Sequence, residues 1–245
     1  MQFEVFPTLA IMAELYRQPL STERFKNYLQ LLQGNSKDDL VFPAGGFNPM
    51  AKEHALVKLK ELQKNGAEEI ATDVLNGLNK KLQKENDELF KVALNLSDDL
   101  QGGWTNRFTS DYDSKFKINA LVRRKFCTPI FWTGEEFSEE LIRTRVSHYC
   151  YRTLYRTNHS APETLQAHIE MEKFVVKESG RKEVKSLNDF DFINAFYQQQ
   201  KENNEYNLVF NFLYGDEACK SLEFPAYGIK APMAGFSFAA ELAEN

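Results

Sequence analysis

The chain has 245 residues, 42% hydrophobic and 13% aromatic, with a formal net charge of −5. That is apolar material for one sizeable core with no Gly/Ser/Pro-rich linker through it, so a single globular domain over 1–245 is expected. The acidic balance argues against nucleic-acid binding, no apolar run reaches membrane-span length, and MQFEVFPTLA lacks the pattern of a secretory signal. Cys127, Cys150 and Cys219 are dispersed, which fits free thiols and a soluble, cytoplasmic protein.

In chain order, Thr8 to Arg17 predicts a short helix. Ser21-Thr22 offers an N-cap for a second, with Phe25, Tyr28, Leu29 and Leu32 at helical spacing and Gly34 as its stop. Leu40-Val41-Phe42 reads as a short strand leading into PAGGFNP. There Asn48 is a good N-cap and Pro49 suits the first helical position, so a helix is expected from Pro49 to about Lys64. A Gly-Gly pair opening onto a helix start is a generic anion-binding geometry, though neither a P-loop nor a dinucleotide fingerprint is present.

The next segment supports two readings. Ala71, Leu75, Leu78, Leu82, Glu85, Leu89, Val92 and Leu96 follow 4,3 helical spacing, broken only by the charge of Glu85, while Phe90, Val92, Leu94 and Leu96 alternate as in a strand. The strand reading puts Asp98 and Asp99 at a strand's carboxyl end, where α/β folds build sites. The helix reading puts them at a helix C-terminus, where the dipole disfavours them.

Further on, Phe116 to Lys125 predicts a helix, and FCTPIFW (126–132), broken by Pro129, a strand. Two capping boxes, Thr133–Glu136 and Ser160–Glu163, predict an αα-hairpin at about 135–179 that ends at Gly180. A helix near 189–200, a strand at 208–214 and an extended aromatic tail from Phe224 complete the reading. The predicted fold is mainly α with a few short strands; the alternative is a mixed α/β domain.

Candidate site residues concentrate in SDDLQGGWTNRFTSDYD (97–113). Asp98 and Asp99 are candidate catalytic acids or bases, or cation ligands. Trp104 and Tyr112 offer flat contact surface, and Arg107 a forked donor for oxyanions. The same segment also reads as a plain connection, with aspartates in Asx-turns and the Trp filling the core. A second cluster lies on the hairpin's first helix, where Arg145, His148, Arg152 and Arg156 form one stripe. Residues 123–156 carry seven Lys or Arg against four Glu. The stripe reads equally as an anion site or as a solvated, ion-paired face. About Ser160 as pivot, His148 stands level with Glu172 and Arg152 with His168, so His148 is a third catalytic candidate. No EXXH, HEXXH or HXXXH spacing occurs, so no metal site is expected, and no signature names a cofactor.

These features yield two functional expectations. One is a small-molecule enzyme that holds a small anionic ligand, phosphate- or carboxylate-bearing, between the 98–112 loop and the cationic helix 141–156. Arg107, Arg145 and Arg152 would grip the anion. The other is a non-catalytic interaction module, a homo-oligomer included, that buries the amphipathic segment 67–96 and the aromatic tail against a partner.

Overall fold

The computed structural model describes residues 1–34, 40–82, 88–100, 106–182, 187 and 189–244. Among these the chain is mainly α with a few short strands. In order they are β1 (Gln2–Phe6), α1 (Thr8–Arg17), α2 (Thr22–Gln33), α3 (Glu53–Lys64), α4 (Ala67–Lys81), β2 (Leu89–Ala93), β3 (Asn95–Ser97), α5 (Arg107–Phe116), α6 (Asn119–Arg123), β4 (Phe126–Cys127), β5 (Ile130–Trp132), α7 (Glu139–Asn158), α8 (Leu165–Ser179), α9 (Phe190–Gln200), α10 (Tyr206–Tyr214), α11 (Asp216–Lys220) and α12 (Ala234–Glu244). The chain forms two compact units, Met1–Ser114 with Ile118–Cys150, and Lys115–Lys117 with Tyr151–Asn245.

In the first unit the ambiguous segment is strand. β2 and β3 are parted only by Leu94, and α4 stops at Lys81. Every pairing is parallel: β2 lies between β1 and β4, with Phe3 beside Phe90 and Val92 beside Cys127, and β3 pairs with β5, Ser97 beside Trp132. Pro129 has no N–H for the ladder and separates β4 from β5. Its carbonyl still accepts from Asn95 N at 2.8 Å, so the register carries across the break. Parallel strands need long crossovers, supplied by α1–α4 between β1 and β2 and by α5–α6 between β3 and β4. At β1, Asn79 of α4 accepts from Phe3 N at 2.9 Å and donates to Phe3 O at 2.8 Å, imitating a neighbouring strand. Such a cover blunts an edge that would otherwise invite pairing. Pro7 precedes α1 and brings no capping oxygen, so Glu68 of α4 accepts from Leu9 N at 3.1 Å instead.

Residues 40–52 differ from expectation. No strand forms at 40–42, and Asn48 does not cap a helix. Its Oδ1 accepts from Met50 N at 2.9 Å in a local Asx-turn, and α3 starts only at Glu53. The Gly45-Gly46 pair therefore does not open onto a helix N-terminus. Residues 116–125 also break into two helices, the end of α5 and the short α6.

In the second unit the predicted strand at 208–214 is helix α10. Every residue from Leu208 to Tyr214 is buried, and a helix wrapped on all sides has no polar face to mark its period. The same holds for the tail, which ends in α12, buried from Ala234 to Ala240. A Cβ on Gly235 would lie 2.9 Å from Leu213 Cα, so α12 approaches α10 at backbone distance. Around this contact the Phe238 ring stands 5.1 Å from Tyr197 and 5.8 Å from Phe212.

The hairpin helices α7 and α8 form where predicted, with later starts. Ser138 Oγ, not Thr133, accepts from Leu141 N at 3.1 Å, and Thr164 Oγ1, not Ser160, accepts from Ala167 N at 3.2 Å. Extending the connection to Thr164 moves the pivot toward residue 162. The partner of Glu172 becomes Arg152 rather than His148, one helical turn along.

Candidate functional site

The first unit holds a cleft of about 770 Å3. One wall is the 43–50 loop, and the others come from the end of β3, from α5 and from the start of β5. The loop is strapped down by its carbonyls. Tyr28 Oη lies 3.0 Å from Ala44 O and 3.1 Å from Phe47 O, and Tyr16 Oη donates to Asn48 O at 2.9 Å. Arg24 donates to Ala51 O at 3.0 Å while its guanidinium lies over the Tyr16 ring. From the strand side, fully buried Asn95 accepts from Gly46 N and donates to Pro43 O, and Ser97 Oγ donates to Gly46 O at 2.5 Å. Glycine is required at 46, because a Cβ there would stand 2.8 Å from Asn95 Cβ. Burial pushes the Tyr28 hydroxyl up to about 12, which keeps this strap protonated.

Asp98 follows directly on β3, is 4% exposed and lines the cleft. Its Oδ1 accepts from Thr133 Oγ1 at 2.9 Å, from Leu100 N at 3.2 Å, and bonds His54 Nε2 at 2.9 Å. Burial pushes the carboxyl up, but the bonds from His54, Thr133 and Leu100 outweigh it and hold it below its ordinary value. An ionised carboxylate only accepts, so the proton in the His54 bond sits on Nε2, which leaves Nδ1 as the other pole of the imidazole. Thr133 is the residue after β5, and the β3–β5 pairing is what sets it beside Asp98.

Asp99 turns the other way. It accepts from Gly134 N at 2.7 Å and from Arg107 at 2.7 Å; Arg107 also donates to Glu135 at 2.9 Å and lies over the Trp132 ring. Glu135 in turn accepts from Arg145, which donates as well to Ile130 O. The structure thus joins three expected residues, Asp99, Arg107 and Arg145, through a fourth that the sequence did not mark, Glu135. The result is an alternating row of carboxylates and guanidinium groups. To reach either arginine an anionic ligand would have to displace Asp99 or Glu135.

The other expected residues sit elsewhere. Arg152 belongs to the second unit and is paired at 2.6 and 2.7 Å with Glu172, both fully buried. His148 is buried on α7 and Tyr112 on α5; Asp98 takes its imidazole from His54 rather than from His148. Trp104 and the Gly102-Gly103 pair lie outside the described residues. His54 is not among the residues that the sequence pattern singles out. It is 44 residues from Asp98 and shares no motif with it, so no local signal could have found the pair. Among the described residues no group of three His, Cys, Asp or Glu side chains could hold a metal ion, and no helix is long and apolar enough to cross a membrane. Protein-family models, curated proteins and solved structures contain no match to this chain.

Proposed function

We propose that the chain is a small-molecule enzyme whose substrate occupies the cleft between the 43–50 loop and the end of β3, with Asp98 and His54 as its polar centre. The observation that carries the reading is Asp98 itself. It is an ionised, buried carboxylate at the carboxyl end of a parallel strand, held on one oxygen by three donors and set in the wall of a large cleft. Open parallel sheets place ligands at this end of their strands, and a cleft of this size suits a small molecule.

A carboxylate held below its ordinary value is a weak proton acceptor but a strong electrostatic partner. Asp98 then stabilises positive charge, resting or developing, on the bound molecule, and it fixes the tautomer of His54. Imidazole is the side chain suited to exchanging protons near neutral pH. Arg107 and Arg145, each held by carboxylates, brace Asp99 and β5 in this reading rather than gripping a ligand.

A thermal-shift screen of a metabolite panel tests it. At least one compound should raise the midpoint of the wild-type protein and lose that effect in Asp98→Asn. Hits that are undiminished in Asp98→Asn and in a cleft-filling Gly45→Phe would remove the cleft from consideration.

A further inference from the structure

We infer that the cleft takes an organic cation, a primary ammonium group on an apolar body, with Asp98 as its counter-ion. The inference rests on reading the cleft as the ligand site, and it names the ligand class. Three observations carry it.

The first is charge. The described lining residues include two carboxylates, Asp98 and Asp113, and no Lys, Arg or His. The nearby guanidinium groups are engaged elsewhere, Arg107 and Arg145 with carboxylates and Arg24 with the carbonyls of Gln18 and Ala51. Among the described lining residues a bound anion would meet carboxylates and no cationic side chain.

The second is the direction of the hydroxyl protons. Ser97 gives its proton to Gly46 O, and Ser114 Oγ stands 2.8 Å from Asp111 O as its donor, which makes Tyr149 the donor in the Ser114–Tyr149 bond. Both serines line the cleft, and what they have left to offer is lone pairs. The three described bonds of Asp98 all end on Oδ1, and among the described residues none ends on Oδ2. Asn48 brings an amide N–H to the lining, and the Ser110 and Thr128 hydroxyls can accept as well as donate. An ammonium group has three donors and no acceptor, the complement of this arrangement.

The third is the remainder of the lining. Phe25, Phe47, Pro49, Met50, Leu121 and Ile130 give the ligand's body an apolar surround, and the Phe25 and Phe47 rings can also face a cation.

A matched series tests this: phenethylamine, phenethyl alcohol and phenylacetate share one body and differ in charge. Their binding is followed by ligand-observed NMR on the full chain. Gly45→Phe serves as a plug, since a Cβ at Gly45 meets nothing within 4 Å and none of the strap bonds described above ends on Gly45. The expected result is binding of the amine in preference to the alcohol and the acid. The amine should be lost in the plug and weakened about tenfold or more in Asp98→Asn, as for a charged hydrogen bond. If the alcohol or the acid binds as well as the amine and is displaced by the plug, the cleft stands as a ligand site and the cationic class falls. If no member of the series is affected by the plug, or none binds, the cationic class falls too. In that case the metabolite screen on the same plugged variant decides whether the cleft reading falls with it. The comparison within the series needs no Asp98 variant, so a folding defect in Asp98→Asn would not blunt it.

Discussion

Asn95→Ala should be among the most damaging single changes in the first unit, although it removes only a small polar side chain. Asn95 is fully buried and makes three bonds of 2.9 Å, accepting from Gly46 N and donating to Pro43 O and to Ala93 O. Alanine leaves all three backbone groups without that partner. At about 1 kcal/mol net for each bond, the loss is about 3 kcal/mol. For a chain of this size that corresponds to a fall of roughly 6–12 °C in Tm. Urea unfolding followed by circular dichroism measures it. The neighbouring glycines supply an internal control. Gly46→Ala drives a Cβ to 2.8 Å from Asn95 Cβ and should cost about 1–3 kcal/mol, whereas Gly45→Ala meets open space and should be near neutral. A loss below about 1 kcal/mol in Asn95→Ala, or equal effects at the two glycines, would refute the claim that the strap fixes the loop on β3.

Further outcomes follow from the same contacts. Glu172→Gln should cost about 3–5 kcal/mol in urea unfolding because it takes the carboxylate charge away from the buried Arg152 guanidinium. Replacing both residues, Arg152→Met with Glu172→Leu, should cost less than that single change. On acidification, burial keeps the His168 imidazole neutral and below its ordinary value, so its contribution is present above about pH 6.5 and lost as pH falls. Asp98, also lowered, adds a second loss below about pH 4, which Asp98→Asn should flatten in a pH series of denaturation midpoints. On the alkaline side Tyr28 is raised to about 12, so its contribution is present below about pH 10 and fades as pH climbs beyond that. Tyr28→Phe should remove this part of the alkaline loss, and an unchanged alkaline limb would exclude Tyr28 from the strap.

Some of this structure was legible in the residue pattern. Ser21, Gly34 and Gly180 mark helix ends because capping is local chemistry, and the alternation from Phe90 to Leu96 carries the central strand. Asp98, Asp99, Arg107 and Arg145 stand out by residue type, but residue type alone gives no sign that the last three are joined to one another through Glu135. What stayed hidden has two physical causes. α10 and α12 are buried on every side and so lack amphipathic period. His54, Thr133 and Gly134 meet Asp98 and Asp99 only through sheet register and crossover length, which a local window does not contain. Thr133 and Glu136 even imitate a capping box, yet the Thr133 hydroxyl is taken by Asp98 instead.

The most direct test of the central pair is the 15N NMR spectrum of the His54 ring across a pH titration, in wild type and in Asp98→Asn. In its neutral form His54 should be protonated at Nε2 and bare at Nδ1, and that preference should weaken or vanish when the Asp98 carboxylate becomes an amide. A neutral His54 protonated at Nδ1, or a tautomer indifferent to Asp98→Asn, would contradict the carboxylate–imidazole pair on which the proposed site is built.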